Sequence, residues 1–311
     1  MFNNNHERIV VINFILLISI IFFLYFKVSL TALLYLIKYK RCMTFSKYAK
    51  LIFYLGNLGI LCILYGYFIE PYWLEVKYIV LETPKINHAF RIVQISDIHS
   101  DPQVRLETQL PNVIKRLKPD FIVFTGDSTN SQTGLINFRN LMRKLADIAP
   151  IYAVRGNWDI STSHIPYRFK GLRLSELNNS AIRIKINNDH FWFCGKPTSS
   201  KHMLKNIIKN IPSNDYKIFL YHYPDAIYEA SANNIDLYLA GHTHGGQVAL
   251  PFYGALITGS KYGKKFESGL YKVDNTYLYI NKGLGMEGES APRVRFFARP
   301  EITVIDLKGK F

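Results

Sequence analysis

The chain has 311 residues, 49% of them apolar and 20% charged, which excludes a disordered or collagen-like polymer and leaves room for one or two domains. Its three scattered cysteines, Cys42, Cys62 and Cys194, exclude a disulfide framework or a zinc ribbon, so any metal must rest on His, Asp, Glu or Asn. A formal charge of +15 asks for an anionic partner, whether phosphate, nucleic acid or acidic lipid.

The first 70 residues carry seven basic and two acidic side chains, and they read as a membrane region. A first apolar helix is expected over about residues 9 to 37, where IVVINFILLISIIFFLYF is followed by Lys27 and VSLTALLYLI; at roughly 1.5 Å per residue the first run alone just spans a hydrocarbon core. A second is expected over about residues 51 to 69, and its glycines are tolerable in lipid. Two spans, or one span with an interfacial helix, both fit. No Ala-x-Ala-like site follows the first run, which argues against a cleaved signal peptide. The connector holds Lys38, Lys40, Arg41, Lys47 and Lys50 without an acid, and the positive-inside rule keeps it cytoplasmic. If one segment merely lies in the interface, the same lysines bind anionic headgroups and the side stays open.

Residues 71 to 89 read as a linker and entry strand, and 90 to 311 as a soluble domain. Within it, RIVQIS ends in Asp97-Ile98-His99, DFIVFT in Gly126-Asp127, and Ile151 to Val154 in Arg155-Gly156-Asn157-Trp158-Asp159. Helices are expected over 107 to 117 and 134 to 146, stopped by Pro119 and Pro150, so the early order is β-α-β-α-β. YKIFLY then delivers His222, and IDLYLA delivers Gly241-His242-Thr243-His244. Short glycine-punctuated strands over 247–250, 269–273, 277–281 and 302–307 suit a second sheet.

Side chains at the ends of successive strands converge on one rim of an α/β sheet. Each tip alone has a bland reading: Asp at a strand end is often a turn residue, Gly-Asn is a turn dipeptide, and a lone His is often a satisfied core residue. Together Asp97, His99, Asp127, Asn157, His222, His242 and His244 supply seven N and O donors with one carboxylate free to bridge, which suits two divalent ions roughly 3.5 to 4 Å apart. Imidazole and carboxylate without thiolate favour Mn, with Fe or Zn as alternatives. His6, His88, His164, His190 and His202 fall outside this set and read as surface or packing residues.

The order D-x-H, G-D, G-N-x-D, lone His and G-H-x-H resembles the signature of the calcineurin-like metallophosphoesterases. GHTHGGQVALP, SGLY at 268–271, KGLG at 282–285 and FFARPEI resemble their membrane-linked bacterial subgroup. The resemblance implies a two-sheet α-β-β-α sandwich. It also implies Asp97, His99 and His244 on one ion, Asn157, His222 and His242 on the other, and Asp127 bridging; Asp127, Asn157, His222 and Arg155 are the catalytic candidates, with Trp158 and Asp159 against substrate. The chemistry expected is in-line hydrolysis by water acidified between two cations.

The family's pattern has His after the Asn, where this chain has Trp158, and indole cannot serve as a general acid. An alkoxide leaving group has a conjugate-acid pKa near that of water, roughly 15.7, whereas phosphate leaves with a last pKa of about 6, so a pyrophosphate needs no such acid. The alternative is that indole packs the loop while Arg155 or another base supplies charge. The chain also resembles the lipid A pyrophosphatase type first recognised in chlamydiae. That implies a nucleotide-linked lipid substrate, UDP-2,3-diacylglucosamine, at the bacterial inner membrane, with a cytoplasmic active site; 31 basic against 21 acidic residues after position 70 would attract a diphosphate. Alternatives are a phosphodiesterase or phosphatase on the outer face, and a silent scaffold binding a phosphorylated ligand. Nucleic acid is not expected, because the basic residues show no aromatic-interleaved run, and no obligatory protein partner is inferred.

Overall fold

The computed structural model describes residues 5–161, 168–287 and 293–310; His164 lies outside them. Helix α1 (Asn5–Tyr39) runs unbroken through Lys27, so VSLTALLYLI continues it. Its 35 residues are about 52 Å long at the usual rise, more than a bilayer core requires. Ser46 caps α2 (Lys47–Phe68) by accepting from Ala49 N–H at 3.2 Å, and the short connector folds the two helices back on each other. A Cβ at Gly56 would run into the Tyr25 ring, so glycine lets the helices approach closely. Both helices are long and apolar enough to cross a membrane. Phe23, Leu34, Tyr54 and Leu61 all stand exposed, an apolar surface of the kind a bilayer would cover.

The open end of the hairpin is bonded to the soluble domain. Glu7, near the start of α1, is buried and its Oε1 accepts from Thr258 Oγ1 at 2.6 Å. At the end of α2, Gly66 O accepts from Arg295 N–H at 2.9 Å, and buried Glu70 accepts from Phe297 N–H at 2.9 Å and Ala298 N–H at 2.5 Å.

Two six-stranded sheets build that domain. The first has the order β1 (Glu75–Thr83), β14 (Glu301–Gly309), β2 (Phe90–Ile95), β3 (Phe121–Phe124), β4 (Ile151–Ala153) and β5 (Ser175–Glu176), with β2 to β5 mutually parallel. The second has the order β12 (Gly269–Val273), β13 (Thr276–Ile280), β9 (Leu237–Ala240), β8 (Tyr216–Leu220), β7 (Asp189–Gly195) and β6 (Ser180–Ile186). Strands buried on both faces read as continuous apolar runs, and FIVF in β3 and LYLA in β9 are such runs.

Alternate residues then face opposite layers. Val93, Ile95, Ile122 and Phe124 pack under α3 (Leu110–Leu117) and α4 (Gly134–Ala146). Ile92, Val123 and Val154 meet Phe193, Ile218 and Leu239 between the sheets, while Phe219, Tyr238 and Ile280 pack under α6 (Leu204–Ile208) and α7 (Ile227–Ala232). The result is an α-β-β-α sandwich. Gln94, fully buried between the layers, donates to Ala240 O at 2.8 Å and to Thr125 Oγ1 at 3.1 Å, fastening the sheets just beneath the strand tips.

Three details depart from the expected elements. The strand expected over 302–307 in the second sheet is β14, which lies in the first sheet between β1 and β2. The β6–β7 hairpin was not foreseen in the Asn-rich stretch around 178–188. The strand expected over 247–250 shrinks to β10 (Ala249–Leu250), which pairs with β11 (Gly254–Ala255) in a separate ribbon. Pro251 has no N–H to continue the ladder.

Candidate metal centre

Every strand tip singled out in the sequence reaches one rim. Asp97 and His99 follow β2, Asp127 follows β3, Asn157 opens the short helix α5 (Asn157–Ser161) after β4, His222 follows β8, and His242 and His244 follow β9. The backbone there is strained: Asp97, His99, Asp127, His242 and His244 have φ of 47°, 42°, 60°, 72° and 51°, the left-handed region that side chains rarely adopt. Such turns aim each side chain off its strand end and into the rim. Gly156 is required beside them, because a Cβ there would collide with the Asp127 carboxylate.

The donors gather in two adjoining groups. Asp97, His99 and His244 form one, and Asp127, His222 and His242 the other, with the ligand atoms of each within 4.8 Å of one another. Asp127 Oδ2 faces both, at 3.1 Å from His222 Nε2 and 3.6 Å from His99 Nε2. His244 Nε2 lies 3.3 Å from Asp97 Oδ1.

The ring orientations are those of metal ligands. His222 Nδ1 lies 2.7 Å from Thr125 O and must donate to it, and His99 Nδ1 lies 2.8 Å from Asn130 Oδ1. Each contact leaves Nε2 as a bare lone pair on the rim. His99 Nε2, His222 Nε2 and Asn157 Oδ1 are all buried without a hydrogen-bond partner, the 3.1 Å approach of His222 to Asp127 being a charge contact without hydrogen-bond geometry. Such orphaned atoms are costly unless a cation completes them. The residues therefore fit two divalent ions, and Asn157 adds an unpartnered oxygen one position before Trp158, whose backbone N–H is bonded to Asp127.

Electrostatics point the same way. Burial, helped by neighbouring imidazoles, holds His99 well below its usual value and His242 down at about 3, so both offer uncharged nitrogen at neutral pH. Burial also raises Asp127 to about 6, reinforced by Asp97 and Asp159. Burial would lower His222, but the Asp127 and Asp97 carboxylates outweigh it and push the ring up to about 9. Burial opposes ionisation of Asp97 too, yet His244 and His222 keep it well below the carboxylate range. Protons here hold a place between carboxylate and imidazole that cations would take.

Three expected site residues have different surroundings from those foreseen. Asp159, expected against substrate, is buried and faces inward. Its carboxylate accepts from the N–H groups of Asp127 at 2.9 Å, Ser128 at 3.0 Å and Gly156 at 2.9 Å, and Arg168 lies 3.4 Å away. It is a clamp between the β3 and β4 loops, with both oxygens committed to protein. Arg155, expected as a catalytic cation, is paired with Glu176 at 2.8 Å and lies over the Phe169 ring, so its charge is already compensated. Trp158 is largely buried, its indole edge-on to the His99 ring with centroids 5.4 Å apart, and its backbone N–H donates to Asp127 Oδ1 at 2.8 Å. That bond fixes one oxygen of Asp127 and turns the other to the imidazoles.

Sequence reasoning passed over three residues. Asn130 orients His99 through its Oδ1, while its amide donates at 3.1 Å to His99 O, Asp101 Oδ1 and Met286 O. It stands three positions after Asp127, a spacing that could have marked it. Arg295 is fully buried, donating to Gly285 O at 3.0 Å and Ala298 O at 2.7 Å, and lies 3.5 Å from His244 Nδ1. Tyr223 stands edge-on to His242 with centroids 4.4 Å apart, and burial pushes its phenol up to about 12, so it stays protonated at neutral pH.

Asn130→Ala should lower metal affinity by about 10- to 100-fold, the usual cost of losing the group that orients a ligating imidazole. Metal titration of the folded variant checks this; unchanged affinity would show that His99 needs no such support.

Residues 90–246 match the family model of calcineurin-like phosphoesterases. The chain is 34% identical over 269 residues to an uncharacterized metallophosphoesterase of Bacillus subtilis, YkuE, covering 79% of this chain and 90% of the relative. It is 28% identical over 263 residues to the phosphodiesterase YaeI of Escherichia coli, covering 78% of this chain and 92% of that protein. With the UDP-2,3-diacylglucosamine pyrophosphatase LpxG of Chlamydia muridarum it shares 26% identity over 310 residues, covering 76% of this chain and 90% of that protein. The converging donors and these likenesses agree: the chain belongs to the calcineurin-like phosphoesterases and is a metal-dependent phosphohydrolase.

Proposed function

We propose that this chain hydrolyses a phosphoanhydride carried by a membrane lipid, and that UDP-2,3-diacylglucosamine, split to UMP and 2,3-diacylglucosamine 1-phosphate, is the compound to assay first. The observation that carries this reading is Trp158. An indole occupies the position where a proton donor would face the leaving group, and phosphate, unlike an alkoxide, leaves without one. The named activity of the chlamydial relatives and the apolar hairpin support a lipid-borne diphosphate.

Asp97, His99 and His244 would hold one ion, and Asn157, His222 and His242 the other, with Asp127 shared; this oxygen and imidazole set suits Mn, Fe or Zn. Such ions supply Lewis acidity toward phosphate oxygens and lower the pKa of coordinated water to about 7. The chain's own part is positional. The Thr125 carbonyl and Asn130 fix two imidazoles, and the Trp158 amide fixes one oxygen of Asp127, so the donors need no rearrangement as charge develops.

Trp158→His is expected to leave pyrophosphate cleavage within about tenfold while raising hydrolysis of alkyl phosphodiesters by about 10² or more, the lower end of the usual contribution of a general acid. Comparative kcat/KM on the two substrate classes decides it. An equal rise on the pyrophosphate would show that its leaving group did need a proton.

A second reading is favoured by the hairpin and by Tyr223. Glu7 and Glu70 both bond the soluble domain, so if both helices cross a bilayer, the catalytic rim and Glu7 would share one side of it and the five basic residues of the connector the other. The positive-inside rule would then favour a rim outside the cytoplasmic membrane. There the protonated Tyr223 could serve an alcohol leaving group, and the substrate would be a phospholipid or envelope phosphoester. Reporter fusions at Phe311 separate the two: a reporter active only outside removes the lipid A role. Release of UMP from UDP-2,3-diacylglucosamine by the purified protein, abolished by chelator, would exclude a silent scaffold.

A further inference from the structure

We propose that the β10–β11 ribbon, with Phe252 at its tip, is a membrane anchor that enters the headgroup layer of the bilayer holding α1 and α2. Phe252 is fully exposed with a left-handed φ of 64°, so a bulky apolar side chain bears backbone strain and touches almost nothing in return. Strain without packing indicates that its contact lies outside the chain.

The ribbon is held between the two places where the apolar helices meet the domain. On one side Ala249 N–H donates to Phe296 O at 2.8 Å, and the Phe296 ring stands edge-on to Tyr65 of α2 with centroids 6.0 Å apart. On the other, three residues past β11, the Thr258 N–H and hydroxyl both donate to Glu7 of α1, at 3.2 and 2.6 Å. The base of the ribbon therefore lies where the helices leave the domain, and Phe252 projects from it without cover from the chain. The same junction carries Phe297, bonded through its N–H to Glu70, and Trp73, 59% and 52% exposed, with the Arg299 guanidinium 4.2 Å over the Trp73 ring. Lys264, ion-paired with Glu267, lies 4.0 Å over the Tyr253 ring next to the tip. Half-exposed aromatics interleaved with cations are the composition of a bilayer interface, and acidic lipid complements the charge. Continuity with two helices whose apolar sides are uncovered selects the bilayer over a protein partner.

The consequence reaches the rim. The loop leaving this ribbon brings Gly259 O to 3.3 Å from His242 Nε2, so an anchored tip would hold the metal centre at the headgroup layer. The proposal does not depend on which phosphate the site cleaves.

The test uses the full chain in bilayers containing acidic lipid with acyl chains brominated near the carbonyl end. In a Trp73→Phe background, Phe252→Trp is expected to add emission that is blue-shifted and at least half quenched. Val80→Trp, at an exposed position on β1 level with the start of β2 and so at the end of the sheet away from the rim, should add emission that bromine does not touch. Quenching of Phe252→Trp no greater than that of Val80→Trp would overturn the proposal, whether that emission stays that of indole in water or is shielded by a second copy at high protein-to-lipid ratio. Phe252→Ser should also lower turnover of a bilayer-embedded substrate several-fold while leaving a soluble aryl phosphodiester unaffected; an equal loss on both would speak for a folding role instead.

Discussion

Asp127→Asn should lower turnover by at least about 10³-fold, beyond the usual cost of one lost electrostatic contact in an active site. Asp127 Oδ2 is the oxygen that faces both histidine groups, while Oδ1 is held by the Trp158 amide. An amide of the same shape keeps one acceptor but loses the charge between two cation sites, so both should weaken together. Metal content per chain, measured beside kcat, is the check. A variant that keeps two tightly bound ions and near-normal turnover would refute the bridging assignment.

Asp159→Ala should be the most destabilising single change near the rim, at about 3 to 5 kcal/mol, the range for removing one partner of a buried ion pair. It would strip acceptors from three backbone amides on two loops and leave the Arg168 guanidinium, itself buried, without its carboxylate. Arg168 is already depressed by burial, with Asp159 opposing that effect. Thermal unfolding reads the loss. Because the clamp ties Asp127 to the Asn157 loop, metal affinity should fall as well, whereas a purely global destabilisation would leave the affinity of the folded fraction unchanged.

The two substitutions differ in how far their reasons could be read before folding. Asp127 was legible because it ends an apolar run in a series of such endings, and that periodic pattern belongs to local sequence. Asp159 lies in the same G-N-x-D block, yet nothing local tells whether its carboxylate turns outward to substrate or inward to amides near residue 127. The pairing of Arg155 is hidden for the same reason, since its partner Glu176 is 21 positions away on the edge strand β5. The β6–β7 hairpin escaped notice because its flanking Asn and Asp residues read as loop, while β7 gains its burial only by pairing with β8.

By itself the sequence determined the chemistry on offer: which seven side chains carry donor atoms, that each sits where a strand stops, that no thiolate competes, and that an apolar hairpin precedes them. Tertiary structure alone decided how those donors are shared. Asp97 and His244 are far apart in the chain and become neighbours only when β2 and β9 close across the buried layer around Gln94. Local sequence can specify a turn and its strain, because those depend on adjacent residues. The grouping of ligands, the inward turn of Asp159 and the bonding of Glu7 to Thr258 depend on contacts that exist only after distant segments have packed.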